Sequence, residues 1–199
     1  GRFRDPVKQK YLDRWIAQGE FKVFDDIGRM LLLAKLDRVP VAAVSSSENA
    51  ANILGHISLG ALCERTGVDY PLCGNRATLC SLFDTTALGA ISHWHGTNID
   101  KVNHYAMAYG KLLQASNVKI GVECTPYVVV FEDAPKGIAA VRRLGFLTVG
   151  VSRTSVSGIE LASPESLARA GADLTYTEKQ LESMGYEQLK EDILGLIRA

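Results

Sequence analysis

The sequence lacks several patterns that would assign it directly to a class of protein. No stretch reaches the 18 or more consecutive apolar residues of a membrane-spanning helix. Lysine plus arginine and aspartate plus glutamate both number 22 in 199 residues, so there is no net basic charge to hold nucleic acid or an anionic membrane. No GxGxxG motif follows a predicted strand, which disfavours a dinucleotide-binding domain. We therefore expect neither membrane nor nucleic-acid partners, and any anion must be bound at a local site.

Cysteine is also scarce. The four cysteines form no CxxC pair and have no regular spacing, so the sequence indicates neither a zinc site nor a disulfide framework. They are Cys63, Cys73, Cys80 and Cys124. No secretory signal peptide is recognisable. We expect reduced thiols and a cytoplasmic location.

Short apolar runs alternate with helical patterns along the chain. Unbroken apolar runs are typical of strands covered on both faces, and their alternation with helices predicts an α/β fold. Specifically, we predict a three-layer Rossmann-like parallel sheet with helices on both faces. The predicted strands lie within 39–47, 79–83, 128–131, 146–151 and 172–176. The predicted helices lie at about 6–19, 25–35, 47–65, 101–116, 136–144, 164–170 and 186–197.

Polar residues follow the first of these strands. Ser45, Ser46 and Ser47 come directly after Val44 and precede Glu48. Ser45 and Glu48 have the spacing of a capping box, which would give them a structural role. The same geometry also provides free N–H groups and hydroxyls for a phosphate. Because ligands of parallel sheets lie outside the carboxyl ends of the strands, both interpretations stay open here.

An acidic pair ends a second predicted strand. Glu132 and Asp133 follow the run Val128 to Phe131 directly. Asp133 could cap the helix that Pro135 helps to start. Two adjacent carboxylates beside a buried strand repel each other, however, and Mg²⁺ would compensate their charge. We favour a magnesium site.

Other polar candidates are weaker. Lys101 opens a predicted helix, where a cation is unfavourable to the helix dipole. This mildly disfavours a purely structural role, but solvated lysines are common, and by itself the position favours a solvated side chain over a functional one. The histidines His93, His95 and His104 lack the spacing of zinc ligands, so no transition-metal site is predicted.

Three motifs together resemble the haloacid dehalogenase-like (HAD) hydrolase superfamily, in particular its β-phosphoglucomutase-like branch. They are VAAVSSSENAANIL, the lysine that opens a helix, and VVVFEDAPKGIAAVRRLGFLTVGV. The resemblance implies that Ser45 and the Ser46 amide bind the transferring phosphoryl group. It implies that Lys101 neutralises phosphoryl and nucleophile charge, and that Glu132 and Asp133 hold Mg²⁺.

One part of the family pattern is missing. The family's nucleophile is the first Asp of a DxD motif upstream of the serine motif, whereas only the adjacent Asp25 and Asp26 precede Ser45 in a comparable context. We interpret these two as a helix cap. Asp84 follows an apolar run but lies after Ser45 and has Thr86 where the second Asp belongs. We therefore expect the nucleophile to lie outside this chain and the cap domain to be mostly absent.

The resemblance leads to a specific functional expectation. Residues 1–22 would form a helix resembling the return from cap to core, and 23–199 the HAD-like α/β core. The expected activity is Mg²⁺-dependent hydrolysis of a small phosphorylated metabolite through an aspartyl-phosphate. Glu48 stands where mutases often have a basic residue, which favours a phosphatase over a mutase. The alternative is a catalytically inactive HAD-like subunit or binding module. A missing N-terminal segment or a partner chain would supply the absent central strand.

Overall fold

The computed structural model describes residues 6–18, 21, 23–74, 76–89, 101–115, 127–154, 158 and 161–198. The helices are α1 (Pro6–Ala17), α2 (Asp25–Leu36), α3 (Ala50–His56), α4 (Leu59–Thr66), α5 (Lys101–Ala115), α6 (Pro135–Arg142), α7 (Pro164–Ala170), α8 (Glu178–Ser183) and α9 (Tyr186–Arg198). The strands are β1 (Ala42–Ser45), β2 (Thr85–Leu88), β3 (Val129–Glu132), β4 (Leu147–Ser152) and β5 (Leu174–Thr177). The fold is α/β, with parallel strands flanked by helices, which confirms the predicted class.

The chain divides into two compact units, Gly1–Ala90 and Ile91–Ala199. The predicted division into 1–22 and 23–199 stays a prediction. None of the helices in the described ranges is both long and apolar enough to cross a membrane.

The first unit contains a two-stranded parallel sheet. β1 pairs with β2 from Ala42 opposite Thr85 to Ser45 opposite Leu88. The apolar core of this unit forms mainly between helices, because α2 packs closely on α4. Gly28 on α2 permits this approach, since a Cβ there would lie 2.5 Å from Cδ1 of the fully buried Leu62. The close packing fixes α2, which leads into β1.

Two secondary-structure predictions for the first unit are wrong. The apolar stretch predicted as a strand at 79–83 is a 3-10 helix, Leu79–Leu82. The single helix predicted over 47–65 is broken into α3 and α4, because Ser58 adopts an extended conformation and its side chain accepts a hydrogen bond from the Ala61 amide as the N-cap of α4. Apolar content alone did not distinguish a strand from a 3-10 helix at 79–83, since short apolar runs fit either kind of element.

The cysteines of this unit also differ from expectation. A disulfide joins Cys63, near the end of α4, to Cys73 in the following loop. The expectation of reduced thiols is therefore wrong for this pair. Cys80 is free and half-buried, and burial raises the pKa of its thiol. Cys124 lies outside the described residues.

The second unit contains a three-stranded parallel sheet in the order β3, β4, β5. Central strand β4 is the most buried, as its apolar sequence predicts, while β3 is half-buried and its Phe131 exposed. α6 packs on β3 and β4, and α7 packs on β4 and β5. Ser163 caps α7, and Thr177 with Gln180 forms a capping box that starts α8. Parallel pairing brings the carboxyl ends of all three strands to one edge of this sheet.

Candidate functional site

The predicted acidic pair lies at the carboxyl end of β3. Glu132 is the last residue of the strand, and α6 begins at Pro135. The N-cap of α6 is Ala134, so the interpretation of Asp133 as the helix cap is wrong. Instead, Oε2 of Glu132 accepts hydrogen bonds from the amides of Asp133 at 2.9 Å and Ala134 at 3.1 Å. The glutamate thus folds back over its own loop and satisfies amides that precede the helix.

Gly137 makes this arrangement possible. A Cβ at this position on α6 would overlap the carboxylate and Cγ of Glu132. The glycine of the EDAPKG sequence therefore provides the space in which the Glu132 side chain lies against the helix backbone. Sequence reasoning noted this glycine only as part of a motif and did not predict its contact with Glu132.

The other oxygen of Glu132 is held by a tyrosine. The hydroxyl of Tyr105 on α5 donates a 2.7 Å hydrogen bond to Oε1. Burial, the charge of Glu132, the hydrogen bond to it and the charge of Asp133 all raise the pKa of Tyr105 above its ordinary value. The phenol therefore remains a proton donor at neutral pH. Sequence reasoning missed Tyr105, although it lies one helical turn after Lys101.

Asp133 differs from its neighbour in exposure. The residue is exposed at the carboxyl edge of the sheet, whereas Glu132 is half-buried. Mg²⁺ usually binds one or two carboxylates and completes its shell with water and substrate phosphate oxygens. An exposed aspartate at a strand end fits this donor set. Within the described residues, no group of three or more His, Cys, Asp or Glu side chains could hold a metal ion, so that part of the chain would contribute at most these two carboxylates.

A buried cation lies at the same edge of the sheet. Arg153 directly follows β4 and is 4% exposed. Its guanidinium pairs at 3.5 Å with Glu178, the first residue of α8. Sequence reasoning did not single out this arginine. The sequence feature that could have identified Arg153 is its position directly after an apolar strand. Asp133 has the equivalent position after β3.

The serine motif belongs to the first unit. Ser45 ends β1, and its Oγ accepts a 3.1 Å hydrogen bond from the Ser47 amide. Ser47 Oγ accepts in turn from the Asn49 amide at 3.3 Å, and α3 begins only at Ala50. Ser45 and Glu48 therefore do not form the predicted capping box. The serines instead stabilise a tight turn after the strand.

A cavity of about 250 Å³ adjoins this turn. Its lining is largely apolar, and Ser45 and Ser47 provide its hydroxyl groups. It is lined by Ala43, Val44, Ser45, Ser47, Ala50, Ile53, Leu54 and Leu88.

The remaining candidates are placed as follows. Lys101 is the first residue of α5, as predicted. His104 is buried on the same helix, while His93 and His95 lie outside the described residues. Asp25 and Asp26 occupy the first turn of α2, and the N-cap is Phe24, so neither acid is the cap that we expected. The predicted roles of Ser45, Ser46, Lys101, Glu132 and Asp133 in one site stay predictions.

Asp84 lies at the amino end of β2, away from the carboxyl edge where parallel sheets generally bind their ligands. Its carboxylate pairs with Lys35 at 2.8 Å and accepts the Val41 amide at 2.7 Å. Burial opposes its ionisation, but these hydrogen bonds and the Lys35 charge outweigh burial and lower the pKa of Asp84. These contacts give Asp84 a structural role.

Comparison with known proteins supports the fold. No protein-family model matches the chain, and no curated protein matches it in sequence. Several solved structures do match in three dimensions, among them two β-phosphoglucomutases. One is an archaeal β-phosphoglucomutase from Pyrococcus sp. strain ST 04, with a TM-score of 0.58 and 21% identity over 95% of this chain and 64% of that one. The other is a β-phosphoglucomutase from Clostridium difficile, with a TM-score of 0.61 and 20% identity over 96% of this chain and 66% of that one.

The chain shares the fold of these two β-phosphoglucomutases. It spans slightly less than two thirds of their length, at 64% and 66%. At 20% and 21% identity the likeness concerns the fold, so substrate and activity have to be argued from the residues themselves.

Proposed function

We propose that this chain contributes the metal- and phosphate-binding groups of a HAD-type phosphoryl-transfer enzyme. The proposed activity is Mg²⁺-dependent hydrolysis of a small phosphorylated metabolite. The observation that carries this proposal is the exposed Asp133 at the end of a parallel strand, next to a Glu132 that is hydrogen-bonded back over the same loop. The fold shared with two phosphoglucomutases adds support.

Each predicted residue has a specific task in this proposal. Asp133 would hold Mg²⁺ directly, and Glu132 would hold it directly or through water. When bound, the ion neutralises charge on the phosphoryl oxygens. The Ser45 hydroxyl accepts one bond in the structure and can still donate its proton to a phosphoryl oxygen. The Ser46 amide and the Lys101 ammonium would bind the same group.

The reaction also requires a nucleophile. We propose that it is an aspartate that lies outside this chain. Its carboxylate attacks phosphorus, the bond from phosphorus to the substrate oxygen breaks, and the leaving oxygen takes a proton from solvent water to form the alcohol. Water then hydrolyses the aspartyl-phosphate, which releases inorganic phosphate and regenerates the carboxylate. Glu48 is exposed after the serine turn, and its charge favours hydrolysis of a monophosphate over a mutase that must bind a second phosphate.

A further strand forms part of the proposal. Within the described ranges, β1 pairs with β2 alone and β3 pairs with β4 alone. An unpaired strand edge presents N–H and C=O groups that another strand can bind. We propose that a preceding segment or a partner chain supplies such a strand, together with the nucleophilic aspartate.

The test is a phosphatase assay on the protein purified with any chain that accompanies it in the cell. The substrates are p-nitrophenyl phosphate and a panel of hexose phosphates in millimolar Mg²⁺. We expect activity that EDTA removes and that falls by at least about 100-fold in Asp133→Asn. Glu182→Gln, which changes an exposed acid on α8, should retain activity. Absence of any Asp133-dependent activity, together with absence of a DxD segment in the gene or in an accompanying chain, would overturn the proposal.

The second candidate is a catalytically inactive HAD-like subunit or binding module. The specific observation in its favour is that the described part of the chain contains no group of three potential metal ligands. This candidate predicts that the purified protein binds phosphorylated metabolites without turning them over. Calorimetry with the substrate panel, in parallel with the assay above, separates the two candidates.

A further inference from the structure

Tyr105 contacts the proposed metal site from a separate helix. The residue is 7% exposed, and its hydroxyl donates to Oε1 of Glu132 at 2.7 Å. The donor and the acceptor are 27 positions apart in sequence. The contact therefore depends on packing of α5 against α6 and is more than a local feature of the loop.

The glutamate that Tyr105 holds is itself bonded to the loop that carries Asp133. Oε2 of Glu132 accepts from the Asp133 and Ala134 amides. The side chain also lies against Gly137, where no larger residue would fit. Donors thus engage both carboxylate oxygens, and the orientation of the carboxylate is set from two sides. Because one planar carboxylate carries both oxygens, loss of the bond to Oε1 also alters the bond between Oε2 and the Asp133 amide.

The helix that presents Tyr105 is anchored independently. One turn further along α5, the ring of Tyr109 packs edge-to-face on Phe146 at 5.2 Å between centroids. Phe146 is 6% exposed and directly precedes β4. Because residues four apart lie on one face of a helix, the Tyr109 contact holds the same face of α5 that carries Tyr105. The Tyr105 hydroxyl is therefore presented to Glu132 from a fixed position.

We propose that Tyr105 is a positioning residue for the metal site: it holds Glu132 against α6 and thereby fixes the Asp133 backbone from which the metal ligand extends. This inference rests on the proposed function. Partners that orient a metal ligand through hydrogen bonds typically change metal affinity by about 10- to 100-fold when they are removed. Tyr105 acts through Glu132 and needs no contact with the ion.

The test compares Tyr105→Phe with Tyr109→Phe, which removes a hydroxyl from the same helix and keeps the ring packed on Phe146. The first readout is amide hydrogen exchange of Asp133 and Ala134 in metal-free protein, measured by NMR. We expect exchange to accelerate in Tyr105→Phe by about 10-fold or more, as expected when a net hydrogen bond is lost. The second readout is Mn²⁺ binding by electron paramagnetic resonance, with Mn²⁺ as a probe for an oxygen-ligand site. Affinity should fall by about 10- to 100-fold in Tyr105→Phe and stay within about twofold in Tyr109→Phe.

The outcomes separate this inference from the proposed function. If Asp133→Asn abolishes Mn²⁺ binding while Tyr105→Phe leaves it unchanged, the inference is overturned and the proposed metal site stands. Faster exchange without a loss of Mn²⁺ affinity also overturns it, because Tyr105 is then merely structural. If the wild-type protein binds no Mn²⁺, the proposed metal site and the inference both fail. Faster exchange together with weaker Mn²⁺ binding in Tyr105→Phe alone supports the inference.

Discussion

The carboxylate of Glu132 occupies the space that a side chain at Gly137 would need. We predict that Gly137→Ala displaces Glu132, breaks its bonds to Tyr105 and to the loop amides, and lowers the free energy of unfolding by about 2–4 kcal/mol. The matched control is Gly110→Ala on α5, where an added Cβ meets nothing within 4 Å. That substitution should stabilise by about 0.5–1 kcal/mol. Urea unfolding measures both, and equal stability of the two variants would contradict the prediction.

The Lys35–Asp84 ion pair predicts a specific dependence of stability on pH. Because the pKa of Asp84 is lowered in the folded protein, its contribution is present above the ordinary value of 3.8 and is lost as pH falls through the folded-state pKa. Asp84→Asn should cost about 1 kcal/mol at neutral pH, since the pair is partly exposed. Below pH of about 4, its unfolding free energy should fall less steeply than that of wild type.

A control for this effect is Glu64→Gln, an exposed acid on α4 in the same unit. Its stability should follow the wild-type pH curve. Denaturant unfolding from pH 7 down to about pH 3 covers the window in which an Asp such as Asp84 titrates. Parallel curves for wild type and Asp84→Asn would show that Asp84 has no such role.

The Cys63–Cys73 disulfide predicts redox-dependent stability. Its cysteines are separated by 10 positions, and closing a loop of that length contributes about 3 kcal/mol by restricting the unfolded chain. Addition of dithiothreitol should lower the free energy of unfolding by up to that amount. The Cys63→Ser/Cys73→Ser variant should not respond. Peptide mapping without reduction should recover the linked pair, and four free thiols per unfolded, unreduced chain would refute it.

The buried Arg153 predicts coupling with Glu178. Glu178→Gln removes the charge that lies 3.5 Å from a guanidinium only 4% exposed. Because the glutamate is partly exposed, we expect a loss of about 1–3 kcal/mol in unfolding free energy. Adding Arg153→Met to that variant should restore part of the loss, since an apolar side chain needs no counter-charge. A double-mutant cycle by urea unfolding measures the coupling, and additive effects would argue against it.

Much of the fold could be predicted because capping residues, prolines and glycines mark the ends of its helices. The predicted bounds of α7 agree with Pro164–Ala170, where a serine cap, a proline and Gly171 surround the helix. The predicted strand at 79–83 failed because a short, largely apolar stretch fits a 3-10 turn equally well. The bond between Tyr105 and Glu132 could not be predicted, since it depends on how α5 packs against α6. The Cys63–Cys73 disulfide likewise depends on the path of the intervening loop.

The parallel pairing of β1 with β2 has a consequence for how the chain folds. Each rung joins residues 43 positions apart, as in Ala42 with Thr85. Helices α3 and α4 lie within this span and rely on local contacts that form in about a microsecond, whereas distant pairing must first close a long loop. We therefore expect β1 and β2 to associate late. Until they do, their unpaired backbones are open to intermolecular pairing, so refolding yield should fall as protein concentration rises.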